Sequence, residues 1–136
     1  MKGQSAIEYL MLVGVLIVLV LPFAYIIYGD TQVKNNVEIS KLAVSKIAKA
    51  ANLVYAQGPG ARTTIRVYLP NGVINITTLN QEVRMNMTAT GGQTTLLFEP
   101  TYANLTNSQI SSFSGIKAIQ VEYNETTKKV AISEAQ

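Results

Sequence analysis

Three regimes of hydrophobic patterning divide the chain. Between Glu8 and Asp30 the 21 residues 9–29 carry no charged side chain, and 10–20 is almost wholly Leu, Val, Ile, Met and Gly. At about 1.5 Å per residue such a run reaches roughly 30 Å, the hydrocarbon thickness of a bilayer, which predicts a membrane-spanning helix. Pro22 lacks the N–H that would bond the Val18 carbonyl, so a kink or local loosening is expected there. A secretory signal peptide fits poorly. Its apolar region is usually about 7 to 15 residues long and ends in a small-x-small cleavage site. The run therefore reads as retained.

The second regime is amphipathic. Val33, Val37, Leu42, Val44, Ile47, Ala48, Ala51 and Val54 recur mostly three and four apart, with Lys34, Glu38, Lys41, Lys46 and Lys49 interleaved. No Pro or Gly interrupts 30–56, and the break comes only at Gln57-Gly58-Pro59-Gly60. One helix over 4–56 is expected, loosened near Pro22 and Gly29, with 9–29 apolar and 30–56 amphipathic. Its length far exceeds what a bilayer needs, so the second half must cover its stripe with a head domain or other subunits.

The third regime, beyond a 57–61 linker, alternates with period two and is rich in Thr, Val, Ile, Asn and Tyr. Thr63, Ile65, Val67 and Leu69 share one face of a strand over 62–69, and Arg62, Thr64, Arg66 and Tyr68 share the other. Pro70-Asn71-Gly72 then predicts a hairpin into Ile74-Asn75-Ile76. Further strands are expected over 82–88, 94–98, 116–123 and 128–133, separated by Gly91-Gly92, a long loop over 100–115, and Asn124-Glu125-Thr126-Thr127. Six short strands over 62–136 imply a small antiparallel β-sandwich or barrel-like head packed on the helix. The predicted class is α+β.

Composition narrows the chemistry. The 136 residues hold 11 Lys plus Arg against 8 Asp plus Glu, with no His, Cys or Trp. Imidazole bases, thiol nucleophiles, disulfides and the usual zinc or copper ligand sets are thereby excluded. The acids beyond Asp30, namely Glu38, Glu82, Glu99, Glu122, Glu125 and Glu134, show no catalytic spacing. No catalytic residue, metal site, cofactor or small-molecule substrate is expected. The charged fraction of 14 % lies well below the roughly 25 % of a typical soluble domain, and the shortage falls in the apolar run.

Four Asn-x-Thr sequons lie in the β region, at Asn75, Asn86, Asn104 and Asn124, where chance would give between one and two. Asn75 falls opposite Ile74 and Ile76, Asn86 opposite Met85 and Met87, Asn124 opposite Val121 and Tyr123, and Asn104 in a loop. All four can carry a glycan without entering the core, which would set the head outside the cell. The lysines that follow the apolar run argue for the opposite orientation by the positive-inside count, but Asp30 and Glu38 interrupt them.

The opening Met1-Lys2-Gly3-Gln4-Ser5-Ala6-Ile7-Glu8-Tyr9-Leu10 resembles the class III signal peptide of archaeal type IV pilins. In that family a short basic leader ending in Lys-Gly precedes Gln and an apolar helix with Glu shortly inside. The resemblance implies cleavage by a prepilin peptidase between Gly3 and Gln4, leaving residues 1–3 as leader and a retained helix. It also implies a single-pass membrane precursor that the pilus machinery assembles with identical subunits into a helical cell-surface filament, with adhesion or surface attachment as its use. Glu8, Tyr9, Leu10, Leu12, Val13, Leu16, Leu19, Val20 and Phe23 are the implied assembly residues. Glu8 either pairs with the new amine of Gln4 or acts as a helix N-terminal carboxylate at headgroup level.

Other function classes are weaker. A membrane-anchored enzyme lacks a constellation. A surface-binding module or minor pilin, such as a tip or DNA-capturing subunit, is the alternative. Arg62, Arg66 and Tyr68 form a small basic and aromatic strip, although the same residues make an ordinary solvated face. Nucleic acid is not the expected partner.

Overall fold

The computed structural model describes residues 2–88, 92–111 and 114–135, with side chains from Ser5 onward apart from Gly29 and Asp30. The side chains of the Gly3/Gln4 cleavage site, and Gly91 of the Gly91-Gly92 turn, lie outside the described residues. One helix, α1 (Lys2–Gln57), is followed by seven strands, β1 (Arg62–Leu69), β2 (Val73–Leu79), β3 (Glu82–Thr88), β4 (Thr94–Pro100), β5 (Ser108–Ser111), β6 (Gly115–Asn124) and β7 (Lys129–Glu134). The protein is α+β, with a three-stranded sheet ordered β1-β6-β7 and a four-stranded sheet ordered β4-β3-β2-β5. All strand pairings within the two sheets are antiparallel.

The helix remains α-helical through Pro22 and Gly29. Beside Gly29, Thr31 donates its hydroxyl to the Ile27 carbonyl at 2.8 Å, the back-bond by which Thr fits a helix interior. The end of the helix is sharp. Gly58 takes a left-handed φ of 80° and its N–H bonds the Val54 carbonyl at 3.2 Å, the single-bond αL stop that glycine permits without a Cβ penalty.

Two compact units result, Met1–Lys34 and Asn35–Gln136. In the second, Ser40, Ala43, Val44, Ile47, Ala48, Ala51 and Val54 are buried at helical spacing. All but Ser40 join one apolar cluster with Val67 and Leu69 of β1, Met85 and Met87 of β3, and Ile119 and Val121 of β6. Small residues, Ala43, Ala48 and Ala51 with Ser40, make up much of this face, and Val44, Ile47 and Val54 supply its larger side chains. Leu42 departs from the expected stripe. It is 70 % exposed, because the buried face centres on 40, 44, 47, 51 and 54 and leaves 42 outside that arc.

The expected hairpin at Pro70-Asn71-Gly72 is corrected. β1 pairs with β6, not with β2, and the turn carries the chain from one sheet to the other. A turn signal fixes a reversal and does not choose the partner. β6 sets Val121 opposite Thr63 and Ile119 opposite Ile65, extending the buried face of β1. Ile74 lies in a register shift between Val73 and Asn75 and is 48 % exposed, while Ile76 is fully buried, so the two do not share a face.

The expected loop over 100–115 also needs correcting, since β5 lies within it and closes the four-stranded sheet against β2. Its sequence, Ser-Gln-Ile-Ser, has a single apolar residue and so carries no alternation. Tertiary contacts fix it instead. Ile110 is buried, and the Thr78 hydroxyl donates to the Thr106 carbonyl at 2.7 Å while the Ser108 hydroxyl donates to the Ile132 carbonyl at 3.0 Å.

Candidate assembly surface and modification sites

The surface that the sequence singles out for assembly is bare. Along Ser5–Gln57 lies a helical window long and apolar enough to cross a membrane, none of it buried among the described residues. Exposure among its large apolar side chains runs from 37 % at Val13 to 81 % at Tyr25. Tyr9, Leu10, Leu12, Val13, Leu16, Leu19, Val20 and Phe23 are all exposed, as is Glu8. So are Met11, Ile17, Val18, Leu21, Tyr25, Ile26, Ile27 and Tyr28, which the expected assembly set omits. The signal that finds them is the absence of any polar face over 9–28. A helix apolar on every side requires a surrounding apolar phase rather than one partner face.

Each sequon can be placed. Asn75 and Asn86 are direct register partners on β2 and β3, both half-buried, and Asn86 Nδ2 donates to Asn75 Oδ1 at 2.8 Å. Asn104 is exposed in the β4–β5 connection, where its Oδ1 accepts from Gln81 Nε2 at 3.2 Å. Asn124 ends β6, exposed, with Oδ1 accepting the N–H groups of Thr126 at 3.0 Å and Thr127 at 3.1 Å. The first two thus sit on interior strands and the last two at strand ends or in connections.

The Arg62, Arg66 and Tyr68 strip lies on the outer face of the three-stranded sheet. Its register partners on β6 are Glu122, Ala118 and Ile116, and Arg62 Nη2 donates to Gln120 Oε1 at 2.5 Å. An acid and two apolar side chains therefore stand opposite the two cations and the tyrosine. Beside it, Lys46 Nζ donates to the Arg66 carbonyl at 2.7 Å, tethering α1 to β1. Sequence reasoning treats Lys46 only as one of the interleaved charges, because a contact to a backbone carbonyl 20 residues away leaves no local trace.

A shallow groove separates α1 from the β4 edge, lined by Glu38, Lys41, Leu42, Leu96, Phe98 and Glu99. Lys41 pairs with Glu38 at 2.9 Å on its lip. Among the described residues no three His, Cys, Asp or Glu side chains gather as a metal site would require. The surface thus offers apolar contact and amide acceptors. Compared with protein-family models, with curated proteins and with solved structures, the chain matches none.

Proposed function

We propose that this chain is the structural subunit of an extracellular filament of the archaeal type IV pilus class. In this reading it is a single-span membrane precursor that loses residues 1–3 and then polymerises through its N-terminal helix. The observation that carries the proposal is the apolar surface over 9–28, whose side chains are all exposed among the described residues. Lipid satisfies that surface first and neighbouring copies afterwards, so the same side chains serve both states. Contacts related by a screw rotation do not close, and a single patch pair then repeats along a fibre.

Two further features support this reading. The opening Lys2-Gly3-Gln4 with Glu8 resembles a prepilin leader, which places the cut before the apolar run and retains it. The four sequons all lie in the unit carrying the strands, consistent with a head exposed at the cell surface and glycosylated there. In the assembled filament Glu8 is partly neutralised by the Gln4 amine of its own or an adjacent chain, which orients the incoming subunit. Adhesion or surface attachment is the use we assign, with no catalytic step, no cofactor, and no nucleic acid as partner.

The test is mass spectrometry of protein sheared from the cell surface. A chain starting at Gln4, recovered as filaments, is the expected result. A chain starting at Met1 and confined to the membrane fraction would leave a membrane-anchored surface-binding module in its place.

A further inference from the structure

Two of the four glycan acceptors are not independent. Asn75 and Asn86 oppose each other on β2 and β3, the two interior strands of the four-stranded sheet, and their side-chain amides are hydrogen-bonded at 2.8 Å. Directly opposed residues of an antiparallel pair have Cβ atoms only about 4.5–5.5 Å apart. The row continues on both sides, with Leu96 opposite Asn86 and Ser111 opposite Asn75. Neither amide can swing sideways without meeting a neighbour, and both are half-buried.

Glycan attachment joins Nδ2 to the anomeric carbon of a phosphate-activated sugar donor. Nδ2 loses one proton, and the donor's phosphate leaves with the bonding electron pair. The modified nitrogen keeps one N–H, so a pair carrying a single glycan can still hold its amide–amide hydrogen bond. A second glycan would anchor another sugar ring one strand spacing from the first, with Leu96 and Ser111 closing the row at either end. It would also force apart the two amides that the sheet holds in register.

We propose that Asn75 and Asn86 form one shared modification site, occupied by a single glycan at a time, so that the folded head carries at most three. Asn104 and Asn124 supply the other two. Both are exposed, and at both the polar contact falls on Oδ1, leaving Nδ2 to the donor. This rests on the glycosylated-head reading above and adds a limit to it.

The experiment is intact-mass and peptide-level mass spectrometry of the full-length protein isolated from the cell surface, for the natural chain and for Thr77→Ala and Thr88→Ala. Each variant destroys one sequon while leaving both Asn side chains and their hydrogen bond in place. The expected result is an intact-mass ladder ending at three glycans, with no fragment over 67–117 modified at both Asn75 and Asn86. In Thr88→Ala the occupancy of Asn75 rises toward the sum of the two natural occupancies, and in Thr77→Ala that of Asn86 does so. A four-glycan species, or occupancies that ignore the loss of the neighbouring sequon, overturns the shared site while leaving the glycosylated head standing. No added mass at any of the four sequons overturns the glycosylation reading itself, and the shared site with it.

Discussion

Asn52 on α1 holds Ala103 in the β4–β5 connection: its Oδ1 accepts the Ala103 N–H at 3.2 Å and the adjacent Tyr102 N–H at 2.8 Å. Ala103 is fully buried, and its carbonyl accepts the Thr101 hydroxyl at 2.9 Å. One side-chain oxygen thus satisfies two backbone donors at the point where the connection meets the helix. Asn52→Ala takes the acceptor from both and leaves the part-buried Ala103 N–H unmet, while water can reach the exposed Tyr102 N–H, and we expect a loss of about 1–3 kcal/mol, read as a lower denaturant midpoint for the full chain in detergent.

Ile47 and Leu42 test which helix face carries the packing. Ile47 is fully buried and Leu42 is 70 % exposed, although both belong to the apolar pattern of the sequence. Ile47→Ala should cost about 2–5 kcal/mol by opening a cavity. Leu42→Ala should stay within about 0.5 kcal/mol in the dispersed subunit. Equal effects in chemical denaturation would contradict the orientation of α1 against the sheets.

Gly72 sits at the crossing from one sheet to the other with a φ of 97°, its carbonyl accepting the Thr88 N–H at 2.7 Å. A Cβ there would lie 3.1 Å from the Thr88 carbonyl oxygen. Gly72→Ala therefore combines a disfavoured backbone with a tight contact against a fixed atom. A loss of about 1–3 kcal/mol is expected in thermal unfolding, with unchanged secondary structure in the folded protein.

Ser40 points the other way. It is fully buried on α1, and its hydroxyl has no hydrogen-bond partner among the described residues. Removing an unmet polar group from a core relieves its desolvation cost. Ser40→Ala should leave the unfolding midpoint unchanged or raise it, and a clear drop would indicate a partner for the hydroxyl.

The assembly reading separates surface from stability. Leu16 is 56 % exposed and lies in the first compact unit. A charge at the centre of a membrane helix costs roughly 2.5–3.5 kcal/mol on insertion scales. Leu16→Arg should abolish filaments seen by electron microscopy while the unit carrying the strands unfolds at its usual midpoint. Glu8→Ala should slow filament growth, and a normal rate would remove its orienting role.

Periodicity and composition alone determined the order of every element except β5, because each of those signals is local. Twenty-one uncharged residues specify a helix that needs an apolar surround, spacings of three and four carry it on through 30–56, and Gly58 stops it. Alternation in 62–69 put Val67 and Leu69 on the buried face before any partner was known. The four sequons are likewise a property of the chain. Only the tertiary structure decided what pairs with what. β1 turned to β6 rather than to its neighbour β2, and Ser-Gln-Ile-Ser became β5 because β2 offered it an edge. Leu42 was left outside by the arc that meets the sheets, and Asn75 met Asn86 because the β2–β3 register set them opposite. Such relations depend on which faces close a common core between residues distant in sequence, and no window of the sequence contains both sides of the contact.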